Sequence, residues 1–382
     1  MSKIGHWVSG GQSFDNKIDA LIYASSNNID VEYKYFNSTW ENYNLDNLGA
    51  FTLDELYKQR AIELREKYDY LILYYSGGAD SDNILKTFIQ NNIKLDAVYV
   101  KWPFQVVGSN IYNPNTYDKS PGNFLSEWDF TIKGKLERLA QEHPEIEILQ
   151  SDWSTKITPK FFNDIKFELA NQLRSPGDIA RLTEFHNKER ELVDAGKKVA
   201  AIWGIDKPML AMDRNDVVGF YFKDAIVQVG YPSDFNYQGL EYFYWSPESP
   251  QILFEQAYKV YQFLQANPQY RSLIPSKEWI PLPSHERHIR LQLYFDVIKD
   301  VIYSTWDNSF QAGKSFAPQK VDWDNWLFFN NEMSDAIKAW RYIAKSELDY
   351  IDERFCIKSI ATGEKVAIFP TRTKIFTLGK QF

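Results

Sequence analysis

The segment from Tyr70 to Phe88 carries the residues of this chain whose types and spacing could do chemistry. It opens with YLILYY, an apolar and aromatic run typical of a buried strand. The run ends in Ser76-Gly77-Gly78-Ala79-Asp80-Ser81, and the stretch DNILKTFIQNN that follows has the pattern of a helix. The segment therefore predicts a strand, a tight loop and a helix in direct succession.

A loop of this composition can hold an anion. Consecutive glycines allow backbone angles that other residues avoid, so main-chain N–H groups at Gly77 and Gly78 can approach a ligand closely. The helix start adds unpaired N–H donors and partial positive charge, and Ser76 and Ser81 add hydroxyl donors. A carboxylate at Asp80 would repel a phosphate unless a divalent cation lies between them, so we assign Asp80 to Mg²⁺. A glycine turn without a ligand is the alternative, but the full strand–loop–helix context favours a phosphate site.

The string Ser-Gly-Gly-x-Asp-Ser resembles the phosphate loop of the PP-loop ATP-pyrophosphatases, the adenine nucleotide alpha hydrolase-like family, over roughly residues 55–210. The approach to the loop, LYKQRAIELREKYDYLILYY, is most similar to that of asparagine-synthetase-type domains. The resemblance implies that ATP is split between its α and β phosphates. The loop, with Ala79 included, would cradle the pyrophosphate, and Asp80 would hold Mg²⁺.

Two further segments match the family by position. Tyr99-Val100-Lys101, at the end of the second strand, lie where the family packs adenine. The resemblance places further nucleotide contacts at the end of the fourth strand, where Gly204 would permit close approach. There Lys207 would neutralise charge on the α-phosphate or the leaving pyrophosphate, and Asp206 would bind Mg²⁺. An ordinary surface turn is the alternative for this segment, since Asp-Lys-Pro is common turn chemistry.

The cysteine content separates this chain from several relatives. Residue 2 is Ser2 and the one cysteine is Cys356, so the chain has no recognisable cysteine-dependent glutaminase. Ammonia would then come free or from a partner subunit. A single cysteine also argues against thiolation chemistry and against a four-cysteine zinc site.

Composition restricts the class of protein. The chain has 382 residues, of which 44% are hydrophobic and 25% charged, as in ordinary folded soluble proteins. A net charge of −8 without a long basic run argues against tight non-specific binding to nucleic acid. One cysteine favours a reducing compartment, and no apolar run approaches a membrane span, so we expect a cytoplasmic protein.

The predicted elements give an α/β fold. Short apolar runs alternate with amphipathic stretches, which predicts a parallel sheet with helices on both faces. We expect an N-terminal extension (1–54), a PP-loop domain (55–232) and a mainly helical C-terminal module (233–382). The predicted strands and helices of the middle domain are strands at 68–75, 95–100, 146–150 and 198–204 and helices at 82–92, 125–143 and 177–196. A hairpin around Lys223-Asp224 would follow.

These features lead to three hypotheses of function. The first is an AMP-forming synthetase that activates a carboxylate or carbonyl oxygen for amide-like bond formation. The second applies the same chemistry to a nucleobase or nucleotide precursor, which the aromatic content of 16% would suit. The third is a non-catalytic nucleotide-binding or assembly protein that retains the fold. The aromatic stretch 240–258 would either line the substrate pocket or form the seam between sheet and C-terminal helices.

Overall fold

The computed structural model describes most of the chain residue by residue. The N-terminal part is a small antiparallel sheet that packs against helix α1 (Lys17–Asn27), whereas the short helix α2 (Asn37–Glu41) contacts the last described strand of the chain. The strands of the small sheet are β1 (His6–Ser9), β2 (Gln12–Phe14) and β3 (Val31–Lys34), in the order β2-β1-β3. The described residues are 5–102, 128–153, 184–205, 207–213, 215–224, 239–274, 284–305, 348–358, 365–368 and 371–381.

A long helix, α3 (Leu53–Lys67), leads into the main sheet. It begins at Thr52, whose hydroxyl accepts a hydrogen bond from the Glu55 N–H, while the Glu55 carboxylate accepts one from the Thr52 N–H. This is a capping box, which satisfies two backbone donors at the start of the helix. The pattern Thr52–Glu55 in the sequence predicts this helix start, and the structure confirms it.

Five of the described strands form one parallel sheet in the order β10-β7-β4-β5-β6. Four of them lie close to their predicted positions, which confirms the α/β class; β10 is not predicted. The strands β8 (Met209–Met212) and β9 (Val217–Tyr221) belong to a separate sheet. The strands of the parallel sheet are β4 (Tyr70–Tyr74), β5 (Ala97–Trp102), β6 (Glu147–Asp152), β7 (Val199–Trp203) and β10 (Leu240–Tyr242).

Helices cover both faces of the parallel sheet. Successive side chains along β4 point to opposite faces, and each face has its own hydrophobic cluster. Leu71 and Leu73 belong to the large cluster shared with α3, α4 and α7, whereas Ile72 and Tyr74 belong to the cluster against α6. Residues 177–183 of the predicted helix at 177–196 lie outside the described residues; α6 occupies its second half and is followed by Gly196, which has φ +81°. The helices are α4 (Ala79–Gln90), α5 (Lys133–Glu142), α6 (Asn187–Asp194), α7 (Gln251–Ala266) and α8 (Ser284–Ile302).

The region after residue 232 combines helices with strands. Helices α7 and α8 lie in the module that is predicted to be mainly helical, and β10, from the same module, belongs to the parallel sheet. The last strand, β13, pairs with β9. The remaining strands are β11 (Cys356–Lys358), β12 (Lys365–Ile368) and β13 (Phe376–Gln381).

Of the hairpin predicted around Lys223-Asp224, the first strand is β9, and the second, from residue 225 onward, lies outside the described residues. β9 lies between β8 and β13 in an antiparallel sheet, so both of its edges are already hydrogen-bonded. Asp224 is fully buried, and its carboxylate lies 2.8 Å from the buried ammonium of Lys17. The indole of Trp7 and the hydroxyl of Thr371 donate to the same carboxylate oxygen at 3.0 and 2.6 Å. This network joins the N-terminal part to the β8–β9–β13 sheet.

A second buried carboxylate fixes the start of β4. Asp96, just before β5, accepts a hydrogen bond from the Leu71 N–H at 2.8 Å. It also forms an ion pair with Arg65 of α3 at 2.5 Å. Lys94 pairs with its other oxygen at 2.8 Å. Asp96 therefore joins α3, β4 and β5 at the end of the sheet opposite the loop.

Candidate functional site

The loop 76–81 lies at the carboxyl end of β4, where the order of the sheet reverses. β5 lies on one side of β4, and β7, which comes much later in the chain, lies on the other. In open parallel sheets, ligands bind in the crevice at the carboxyl ends of strands where the order reverses. The loop with the predicted chemistry therefore lies where such sheets bind ligands.

The two glycines of the loop have different roles. Gly77 has φ +70°, and a Cβ atom there would lie 2.5 Å from Cγ1 of Ile132, so both conformation and space require glycine. Gly78 precedes α4 with φ −75° and ψ 166°, which any residue can adopt. A Cβ atom added at Gly78 would have the Ser76 hydroxyl oxygen as its nearest neighbour, at 3.4 Å. Gly77 thus fixes the turn, while Gly78 leaves the helix start uncovered by a side chain.

The two serine hydroxyls also differ. Ser81 is buried; its Oγ accepts a hydrogen bond from the Ser76 N–H at 3.2 Å and donates one to the Gly78 carbonyl at 3.2 Å. Ser81 therefore closes the loop from inside. Ser76 is exposed, and its hydroxyl lies 3.3 Å from that of Ser81. Of the two predicted hydroxyl donors, Ser76 is the one at the surface of the loop.

The structure brings together Asp80 and Lys207, which the sequence analysis selects independently. The Lys207 ammonium lies 2.8 and 2.7 Å from the two carboxylate oxygens of Asp80. Lys207 is buried, with 7% of its surface exposed, and it lies four residues after the end of β7. A cation is thus held beside the loop by the carboxylate of the loop itself.

Two phenols add to this contact, and neither is predicted from the sequence. Tyr303, just after α8, donates to Oδ1 of Asp80 at 2.5 Å, and Tyr244, just after β10, donates to the Asp80 carbonyl at 2.9 Å. Burial, and then the negative charge of Asp80, raise the pKa of Tyr303 well above its ordinary value. The phenol therefore keeps its proton and remains a donor.

The predicted Mg²⁺ role of Asp80 depends on a single described carboxylate. Among the described side chains, no group of three or more His, Cys, Asp or Glu is placed to bind a metal ion. The second predicted ligand, Asp206, lies outside the described residues. Mg²⁺ often takes one or two carboxylates together with phosphate oxygens and waters. A single carboxylate such as Asp80 is compatible with that donor set.

Gly204 allows a close approach, as predicted, but the described partner is the loop itself. A Cβ at Gly204 would lie 3.0 Å from the carbonyl carbon of Asp80 and 3.0 Å from the nitrogen of Ser81. The end of β7 therefore packs directly on the first turn of α4. This contact places Lys207 next to Asp80.

The predicted adenine contacts lie at the end of the neighbouring strand, β5. The Tyr99 carbonyl accepts a hydrogen bond from the N–H of Tyr75, and Val100 is buried on the face of α4. Lys101 lies on the other face, where its ammonium donates to the Glu184 carbonyl at 2.9 Å and lies 4.9 Å from the ring centroid of Trp203. These three residues lie at the carboxyl end of β5, and the contacts just described join them to the strand before the loop and to Glu184, next to α6.

A lysine that the sequence analysis does not select contacts the loop directly. The ammonium of Lys135, in α5, lies 3.1 Å from the Gly77 carbonyl oxygen and 3.1 Å from Oδ1 of Asp82. Asp82 is buried and also accepts hydrogen bonds from the Tyr75 hydroxyl and the Lys86 ammonium. The sequence around Lys135 is that of an ordinary amphipathic helix, so no local signal marks it.

Comparison with known proteins gives no match for this chain. No family model matches the chain, and no curated protein or solved structure matches it. Within the described part of the chain, none of the helices has both the length and the apolar character that a membrane crossing requires.

Proposed function

We propose that this chain is an ATP-dependent adenylating enzyme that releases AMP and pyrophosphate while it forms an amide-like bond. The observation that carries the proposal is the loop 76–81 at the reversal point of the sheet, with the Asp80–Lys207 ion pair beside it. The same loop is the segment that resembles the PP-loop ATP-pyrophosphatases. Position, composition and local charge thus support one interpretation.

The chain supplies several groups that favour bound phosphates. The first turn of α4 presents backbone N–H groups and a partial positive charge, which attract anions. Ser76 offers an exposed hydroxyl. Asp80 would hold Mg²⁺, which supplies neutralisation of phosphate charge when it is bound.

In the proposed reaction, a carboxylate or carbonyl oxygen of the acceptor attacks the α-phosphorus. The bond from that phosphorus to the bridging oxygen breaks, and pyrophosphate leaves with the electron pair. A nucleophile such as ammonia then attacks the activated carbon, AMP departs with its electron pair, and the nucleophile loses a proton to solvent. Lys207 would stabilise the negative charge that develops in the first step, because a fixed cation in a partly buried site acts strongly on such charge.

The test separates the two ways of splitting ATP. Wild type and Asp80→Ala are incubated with ATP labelled at the α or the γ phosphate, with Mg²⁺ and with metabolite fractions as sources of acceptor. We expect labelled AMP and pyrophosphate from wild type and a loss of about 100-fold or more in Asp80→Ala. Asp46→Ala, at an exposed position of the N-terminal part, is the control.

Other products would change the conclusion. ADP and phosphate would refute cleavage between the α and β phosphates. ATP binding without turnover in any fraction would favour the non-catalytic nucleotide-binding hypothesis. A nucleobase or nucleotide precursor as the stimulating fraction would identify the acceptor class without changing the chemistry.

A further inference from the structure

The segment before α5 lies over the glycine loop. The chain forms a π-helical turn at Trp128–Ile132 and then continues directly into α5. Such turns are rare in proteins, and those that occur often lie at functional sites. The Ile132 side chain occupies the space next to Gly77, and Lys135, three residues further on, lies on the same side of the helix. This packing holds the backbone of Lys135 at a fixed position beside the loop.

The Lys135 side chain ends at the loop and is not sealed from solvent. Its ammonium bonds to the Gly77 carbonyl, and 14% of the side chain is exposed. Lysine carries a compact charge on a flexible stem, which suits contact with phosphate.

Lys135 and Lys207 flank the loop from two directions. Lys207 follows β7, on one side of β4, whereas α5 lies between β5 and β6 in the chain, on the other side. Lys86, the third lysine near the loop, bonds to the carbonyl of Thr305 at 2.7 Å and so contacts the end of α8. The Lys135 ammonium contacts the backbone of the loop itself, at the Gly77 carbonyl.

We propose that Lys135 binds the β and γ phosphates of ATP and the pyrophosphate that they become. This inference rests on the proposed function and assigns different roles to Lys207 and Lys135. Lys207 acts at the α-phosphate, where charge develops, and Lys135 contributes affinity for the leaving group. Its bond to Gly77 holds the ammonium near the loop before the anion arrives.

The test measures binding of inorganic pyrophosphate to the full chain by calorimetry, with Mg²⁺ and at constant ionic strength. Lys135→Gln removes the charge but keeps a hydrogen-bond donor, and Lys135→Arg keeps the charge. Lys133→Gln, an exposed lysine on the same helix, is the matched control for loss of one positive charge. The unfolding midpoint of each variant is measured in parallel, so that a structural effect is seen separately.

We expect Lys135→Gln to raise the dissociation constant for pyrophosphate by about 10- to 100-fold, because a neutral donor replaces the cation of a charge-assisted hydrogen bond. Lys133→Gln should stay within about twofold of wild type because an exposed, distant charge is screened, and Lys135→Arg should retain most of the affinity. Equal affinities in wild type and Lys135→Gln, or equal losses in Lys135→Gln and Lys133→Gln, would refute this role while the proposed function stands. No binding of pyrophosphate or ATP by wild type would refute the proposed function together with it.

Discussion

Replacing Gly77 by alanine tests whether the loop needs its left-handed turn. An L-residue at φ +70° costs about 1–2 kcal/mol. The added Cβ would lie 2.5 Å from Ile132 Cγ1, and overpacking of this kind costs about 1–3 kcal/mol. We therefore expect Gly77→Ala to lower the free energy of unfolding by about 2–5 kcal/mol. Urea unfolding followed by tryptophan fluorescence measures it.

Gly78→Ala is the matched control within the same loop. Gly78 has φ −75°, and a Cβ there would find its nearest neighbour at 3.4 Å, an ordinary contact. We expect a cost below about 1 kcal/mol, as for alanine at a helix N-cap. Ile132→Ala should relieve the steric part of Gly77→Ala, so that the double variant is less destabilised than the sum of both changes by about 1–3 kcal/mol. Equal costs for the two glycines, or full additivity with Ile132→Ala, would refute the reasoning.

Two further predictions concern buried carboxylates. Lys17→Met leaves the carboxylate of Asp224 buried without its cation and should cost about 3–5 kcal/mol in urea unfolding, whereas Lys34→Met, in a half-exposed ion pair, should cost at most about 1 kcal/mol. Similar costs for both would contradict the assignment of a buried pair. Burial raises the pKa of Asp96, but hydrogen bonds from two cations and a backbone amide outweigh it, so that its pKa lies below the ordinary value. The charged form therefore stabilises the fold above pH of about 4, and this contribution is lost as the pH falls through the lowered pKa. Asp96→Asn should be less stable than wild type by about 1–3 kcal/mol at pH 7, with the difference shrinking below pH of about 4; a constant difference down to pH 3 would contradict it.

The sequence predicts those parts of the fold that depend on neighbours in the chain. The capping box at Thr52 and Glu55, the buried strand before the loop and the helix after it all arise from residues a few positions apart. Such local signals also place Lys207 at the end of a strand. Since parallel strands end at one edge of a sheet, Lys207 and Asp80 are expected near each other, and the structure brings them into contact.

The remaining parts depend on distant contacts. β10 has three residues and no distinctive pattern, so its pairing with β7 does not follow from composition. Tyr244, in the aromatic stretch after it, is fully buried, packs against Tyr57 and donates to the Asp80 carbonyl. It is therefore part of a packing seam and also a support of the loop. The sequence shows two consecutive glycines but does not indicate which of them has positive φ. In the structure it is Gly77 and not Gly78.

The contacts around Asp80 have a consequence for how the chain reaches its native state. The partners of this residue lie 127, 164 and 223 positions further along the sequence, at Lys207, Tyr244 and Tyr303. Closing loops of this length costs entropy that is recovered only when the contacts form, and such non-local topologies fold slowly. We therefore expect β4 and α4 to form early and the environment of Asp80 to be completed late, after α8 has docked. A chain that ends before α8 would then contain the whole glycine loop and still lack the hydroxyl that bonds to its carboxylate.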